Sequence, residues 1–217
     1  MFRKTVILIG SAILLSACVA TSIPTTTKVS DTIMMGVKTS LAKAVSYEYK
    51  ANIEDGTIKP CDKDTRNEQA SHPGYMHTEG ATLDKMLRDY MAMKFSNVDS
   101  TSDPKIKVTL KDFWLEQYST DSTGKQWLVA LGGGEINIMV VAHLDMVFEI
   151  SKAGASVTKT IRVSGDSAHV TGIGTGTSTS NIDRGNQNIE FRVADAINAA
   201  NNKAIIMLNQ FFESNQL

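Results

Sequence analysis

Hydrophobic positions recur along this chain in two rhythms. Leu83, Met86, Leu87, Tyr90 and Met91 fall at helical spacing, with Lys85, Arg88 and Asp89 on the other side, which predicts an amphipathic helix near residues 79–94. Thr78 or Thr82 is placed to cap its start, and the Asp103-Pro104 turn lies beyond its end. Val193, Ile197, Ala200, Ala204, Leu208 and Phe211 repeat at the same period and predict a C-terminal helix near residues 190–212. Its small residues Ala194, Ala196 and Ala199 allow close approach to a sheet.

Between these helices the rhythm becomes alternation. Ile106, Val108 and Leu110 alternate with polar residues, and then the phase slips so that Phe113 and Leu115 take over the apolar face. Such a slip predicts a strand with a β-bulge near Lys111-Asp112. Even-numbered residues from Ile136 to Ile150 are apolar without a break, which predicts a second strand. A third runs from Val157 to about Val163, with an extension through Val170 left open, joined to the second by a hairpin whose loop is the five residues Lys152–Ser156. Thr32–Ala51 fits one or two strands, or a helix across Leu41–Tyr49. Residues 52–77 read as a long polar loop, Ser164–Ser167 as a turn, and residues 171–188 as a low-complexity Gly/Ser/Thr segment, either a flexible hairpin arm or a strand extension. The fold class is therefore α+β: a two-layer domain in which an antiparallel sheet is packed by the two amphipathic helices.

The N-terminus does not belong to this domain. Arg3 and Lys4 precede an apolar run from Thr5 to Leu15, too short for the ~20 residues of a spanning helix and suited to a signal peptide. Leu15-Ser16-Ala17-Cys18 follows at once and resembles the lipobox of bacterial lipoproteins. That resemblance implies cleavage before Cys18, lipid on its sulfur and an acyl chain on its new amino group. Several chains on one residue anchor a protein stably where a single chain does not. Val19, rather than Asp, after the cysteine favours sorting to the outer membrane. The expected organisation is a signal peptide over 1–17, a lipidated N-terminus and flexible tether over 18–30, and a single periplasmic domain over 31–217.

Composition changes meaning once residues 1–17 are set aside. The 217-residue chain carries 22 Lys and Arg against 23 Asp and Glu, and without Arg3 and Lys4 the remaining 200 residues carry a net charge of −3. No basic excess marks a nucleic-acid surface. With Cys18 lipidated, Cys61 is left alone, so no intramolecular disulfide is available.

Candidate chemistry is sparse. Gly172-x-Gly174-x-Gly176 is followed by a dozen polar residues before any helix, unlike a phosphate cradle, and Gly132–Gly134 leads into a strand. Cys61, His72 and His77 lack a fourth ligand and a paired cysteine, so no metal site is expected. His143 and Asp145 share one side of the second strand, which suits an oriented imidazole, but no nucleophile motif accompanies them. Trp114, Tyr118 and Trp127, with Phe113, form an aromatic cluster near the end of the first strand and are the candidate ligand or partner contacts. Phe113 is expected in the core.

A lipobox, a Thr/Pro tether, an early Met35-Gly36-Val37 segment, an amphipathic helix, the strand Ile106–Tyr118, the hairpin Ile136–Val163 and a terminal helix together resemble the YajG-like bacterial lipoproteins. The resemblance implies an outer-membrane lipoprotein facing the periplasm, and it supplies no catalytic residues. The expectation is a lipid-anchored, non-enzymatic envelope protein without cofactor, acting as an accessory or assembly component with an envelope protein partner. The alternative is a binding module for envelope glycan or lipid that uses the aromatic cluster near Trp127.

Overall fold

The computed structural model describes residues 21–23, 29–36, 40–61, 74–125, 135–167, 171–174 and 179–217. In chain order the elements are β1 (Thr21–Ser22), α1 (Asp31–Gly36), β2 (Ser40–Ala51), β3 (Gly56–Ile58), β4 (Tyr75–His77), α2 (Glu79–Lys94), β5 (Phe95–Asp99), β6 (Lys105–Ser119), β7 (Glu135–Lys152), β8 (Ala155–Asp166), β9 (Thr171–Gly174) and α3 (Thr179–Ser214). The main sheet has the order β5-β2-β6-β7-β8, and β9 pairs with the start of β7 beyond the point where β8 ends. Helices α2 and α3 cover one face of it, giving the two-layer α+β arrangement.

The alternation along β7 decides which face is covered. Val140, Ala142, Leu144, Met146, Phe148 and Ile150 are all buried under the helices, while Val141, His143, Asp145, Val147 and Glu149 are half-exposed on the outer face. The bulge in β6 falls where the phase slip places it. Leu110 pairs with Met146 and Asp112 with Asp145, so Lys111 is the extra residue, and Phe113 and Leu115 return to the buried side.

The sheet is mixed rather than wholly antiparallel. β6, β7, β8 and β9 pair antiparallel, but β2 runs parallel to both β5 and β6. The reason is the connection: α2 lies between β2 and β5 and carries the chain back to the same end of the sheet, as a parallel pair requires. Leu41–Tyr49 is therefore strand, not helix.

Three further expectations change. The β7–β8 connection is a two-residue turn at Ala153-Gly154, both with positive φ (48° and 84°), instead of a five-residue loop. This backbone matches the twist of a tight hairpin. Ser164–Asp166 continues strand β8 rather than turning, because Gly165 is where α3 crosses it. A methyl group on Gly165 would collide with the backbone of Ala196 and Ala200, so absence of a side chain sets the helix–sheet distance. In the Gly/Ser/Thr arm, residues 171–174 form β9 and α3 already begins at Thr179.

The long polar loop also contains structure. β3 pairs antiparallel with β4, and β1 lies parallel on the other side of β4, making a small second sheet. Between β3 and β4, Cys61 returns to the edge of β6 that β2 left, donating from its N–H to the Leu115 carbonyl (2.8 Å) and accepting from the Gln117 N–H (3.1 Å). Thr78 stands at the start of α2 without a capping side-chain bond. Instead Asp55 from the excursion accepts the Gly80 N–H at 3.2 Å, supplying a carboxylate where a helix start favours one.

Candidate functional site

Five side chains from three adjacent strands meet on the outer face of the main sheet. Trp114 on β6 lies directly opposite His143 on β7, and their rings stack at 4.7 Å between centroids and 5° between planes. The Glu116 carboxylate is 2.8 Å from His143 Nε2. From β8, Arg162 sits opposite Asp145 and donates to both of its oxygens, from Nε at 2.6 Å and Nη2 at 2.8 Å. The same guanidinium carbon lies 5.3 Å from the Trp114 ring centroid.

The placement of Arg162 has an electrostatic cause. Asp112 and Asp145 face each other across β6 and β7, a like-charge pair that destabilises a sheet when left alone. Hydrogen bonds to Asp145, followed by its charge and that of Asp112, hold the Arg162 pKa above its ordinary value. A shallow depression of about 570 Å³ opens beside this ion pair, bordered by Lys111, Val147, Thr160 and Arg162.

His143 and Asp145 share a face but do not pair: the imidazole takes Glu116 and the carboxylate takes Arg162. Each charged group is thus engaged by an opposite charge or hydrogen-bond partner. Among the described residues, the hydrogen-bond partner of His143 is the Glu116 carboxylate and not a hydroxyl.

Of the aromatic residues expected to make contacts, Trp114 and Tyr118 lie on the outer face of β6, separated by Glu116. Trp114 is only 9% exposed, its ring covered by His143 and Arg162, and Tyr118 is half-exposed. Trp127 and Cys18 lie outside the described residues, as do His72, His169 and Gly132–Gly134. Phe113 points to the buried side, its ring centroid 5.1 Å from that of His77. Cys61 is in no disulfide, and among the described residues no group of three or more His, Cys, Asp or Glu is placed to hold a metal ion. No described helix is long and apolar enough to cross a membrane.

The alternation pattern did not reveal a second polar group, beneath the small sheet. Glu79, in the first turn of α2, is 1% exposed, beside the fully buried Asn201 of α3. Neither carboxylate oxygen nor either amide atom makes a hydrogen bond of good geometry. Burial pushes the Glu79 carboxyl up to about 8, outweighing the opposing effect of Asn201, with Asp55 adding to the rise. His77, which accepts the Glu79 N–H at Nδ1 (3.4 Å), is held below the ordinary histidine range, chiefly by burial and against the pull of Asp55. Glu79 is closed to solvent and belongs to the packing of α2 on α3.

No family model matches this sequence, and no curated protein matches it. Its likenesses are to solved structures. A Xanthomonas campestris protein of the DUF330 family is 14% identical, with 90% of this chain and 98% of that one covered at a TM-score of 0.49. The rare lipoprotein B of Shewanella oneidensis is 11% identical, with 80% and 96% covered and a TM-score of 0.38. A minor lipoprotein from Acinetobacter baumannii is 8% identical, with 81% and 95% covered and a TM-score of 0.36. The chain is similar to these proteins in backbone course.

Proposed function

We propose that this protein is a lipid-anchored, non-enzymatic component of the bacterial cell envelope, held through Cys18 in the outer membrane and facing the periplasm. In this reading it acts as an accessory or assembly subunit that docks another envelope protein. The observation that carries it is the pairing of two features. A lipobox-like stretch, Leu15–Cys18, stands directly before a domain in which, among the described residues, the helices cover one face of the main sheet. The other face carries the Glu116–His143 hydrogen bond and the Asp145–Arg162 ion pair around the buried ring of Trp114. Pre-paired charges and a fixed aromatic lose little freedom on binding, which favours a protein partner over catalysis.

Position-specific photocrosslinking in native membranes tests this reading. A crosslinking side chain at Val147 or Thr160, beside the depression, is expected to capture a discrete envelope protein, whereas one at Asp89, on the exposed side of α2, does not. Equal capture from both faces, or none from either, contradicts the outer face as the docking surface.

A further inference from the structure

The stretch after the lipobox is not free along its length. Thr21 and Ser22 pair with Tyr75 and Met76 as strand β1 of the small sheet, and the Ile23 N–H donates to the Met76 carbonyl at 3.4 Å. Ile23 is buried in the main core cluster. A second fastening follows: Val29 is buried, and the Ser30 N–H donates to Asn202 Oδ1 of α3 at 3.1 Å. These contacts fix how far the domain can stand from residue 18. Three Cα-to-Cα steps separate Cys18 from Thr21, and at ~3.8 Å each they span at most about 11 Å whatever their conformation. A tether free to residue 30 would reach roughly 45 Å by the same measure.

We infer that the lipid anchor holds the small sheet against the bilayer surface, with β1, β3 and β4 as the membrane-apposed edge of the domain. The inference rests on the proposed lipidation of Cys18. The occupant of this surface is the lipid headgroup layer, because the lipidated residue itself resides there and the permitted reach is about the ~5–7 Å depth of one headgroup region plus a few ångströms. The outward pair at the middle of β3 and β4 fits that environment, between the exposed Glu54 and Asp55 before β3 and Lys59 after it. In β4, Tyr75 and His77 turn inward and Met76 is 43% exposed between them. Its cross-strand neighbour Thr57 is also exposed and donates from Oγ1 to the Met76 sulfur at 3.3 Å, so this outward pair carries no charge that lipid contact would desolvate.

The opposite end of the domain then lies far from the lipid. The small sheet meets the main sheet at Phe113, which pairs with Leu144. The β7–β8 turn begins eight residues further along β7, after Lys152, or about 26 Å away at ~3.3 Å per residue.

The test uses full-length lipidated protein purified from membranes and placed in phosphatidylethanolamine–phosphatidylglycerol vesicles that carry a nitroxide on the lipid headgroup. In a Cys61→Ala background, a fluorophore is attached at Thr57→Cys or at Lys152→Cys, and flotation is measured on the same samples. The expected result is that both proteins float and the Thr57 label is quenched several-fold more than the Lys152 label. Ile23→Asp, which releases β1, is expected to float still while the two labels converge. Flotation with equal quenching, or with stronger quenching at Lys152, overturns the orientation and leaves the anchor intact. Failure to float overturns the anchor and the orientation together. Retention of the full quenching difference in Ile23→Asp overturns β1 as the fastening.

Discussion

Gly165 and Glu79 show how single residues set the packing of this domain. At Gly165 the backbone of α3 occupies the place of a side chain, so Gly165→Ala must push helix and sheet apart. The substitution is expected to destabilise the protein by about 1–3 kcal/mol, the range for overpacking a well-filled core, as a lower urea midpoint with unchanged slope. A midpoint equal to that of the wild type contradicts the close approach. Glu79 works through its proton. Its folded pKa of about 8 lies above the ordinary 4.5, so the stability it permits is full below that lower value and is lost as pH rises through the higher one. Glu79→Gln keeps the shape without the titration. The stability of the variant relative to the wild type should therefore increase between about pH 5 and pH 8, measured by denaturant unfolding at each pH. A difference that stays constant across that window contradicts a buried, protonated carboxyl.

Elements were legible in the sequence where one face is apolar throughout. The α2 stripe from Leu83 to Met91, the bulge in β6 and the buried side of β7 all follow from periodicity alone, because burial of that face is what holds each element in place. The turn at Ala153-Gly154 was not legible, since Ala carries no signal for positive φ. That single feature governs the site. A two-residue turn pairs Asp145 with Arg162 and His143 with Ser164, whereas a loop centred on Gly154 would shift β8 by one residue and turn Arg162 to the opposite face. Arg162 therefore joins Trp114, Glu116 and His143 only in this register. The turn itself is improvable: Ala153→Asn places a residue that tolerates the left-handed region where Ala now sits. It is expected to raise stability by about 0.5–1 kcal/mol, read as a higher thermal midpoint. A lower midpoint contradicts the turn geometry. The small sheet was hidden for a different reason: β1, β3 and β4 are two or three residues long, too short to display a period.

On the scale of the molecule, the two layers assign different tasks to the two faces of one sheet. The helices use the buried face to make the core, and the outer face carries the Glu116–His143 and Asp145–Arg162 pairs that the proposed docking would use. The N-terminal segment ties this body to the position of residue 18 through Ile23 and Val29, so the proposed anchor determines both the compartment and the presentation of the docking face. The central claim is that Cys18 carries the lipid. Metabolic labelling with an alkyne fatty acid, read together with membrane flotation, compares the wild type with Cys18→Ser. The wild type is expected to carry the label and float with the outer membrane, and the variant to carry no label and stay in the soluble fraction. Label and flotation retained in the variant would contradict it.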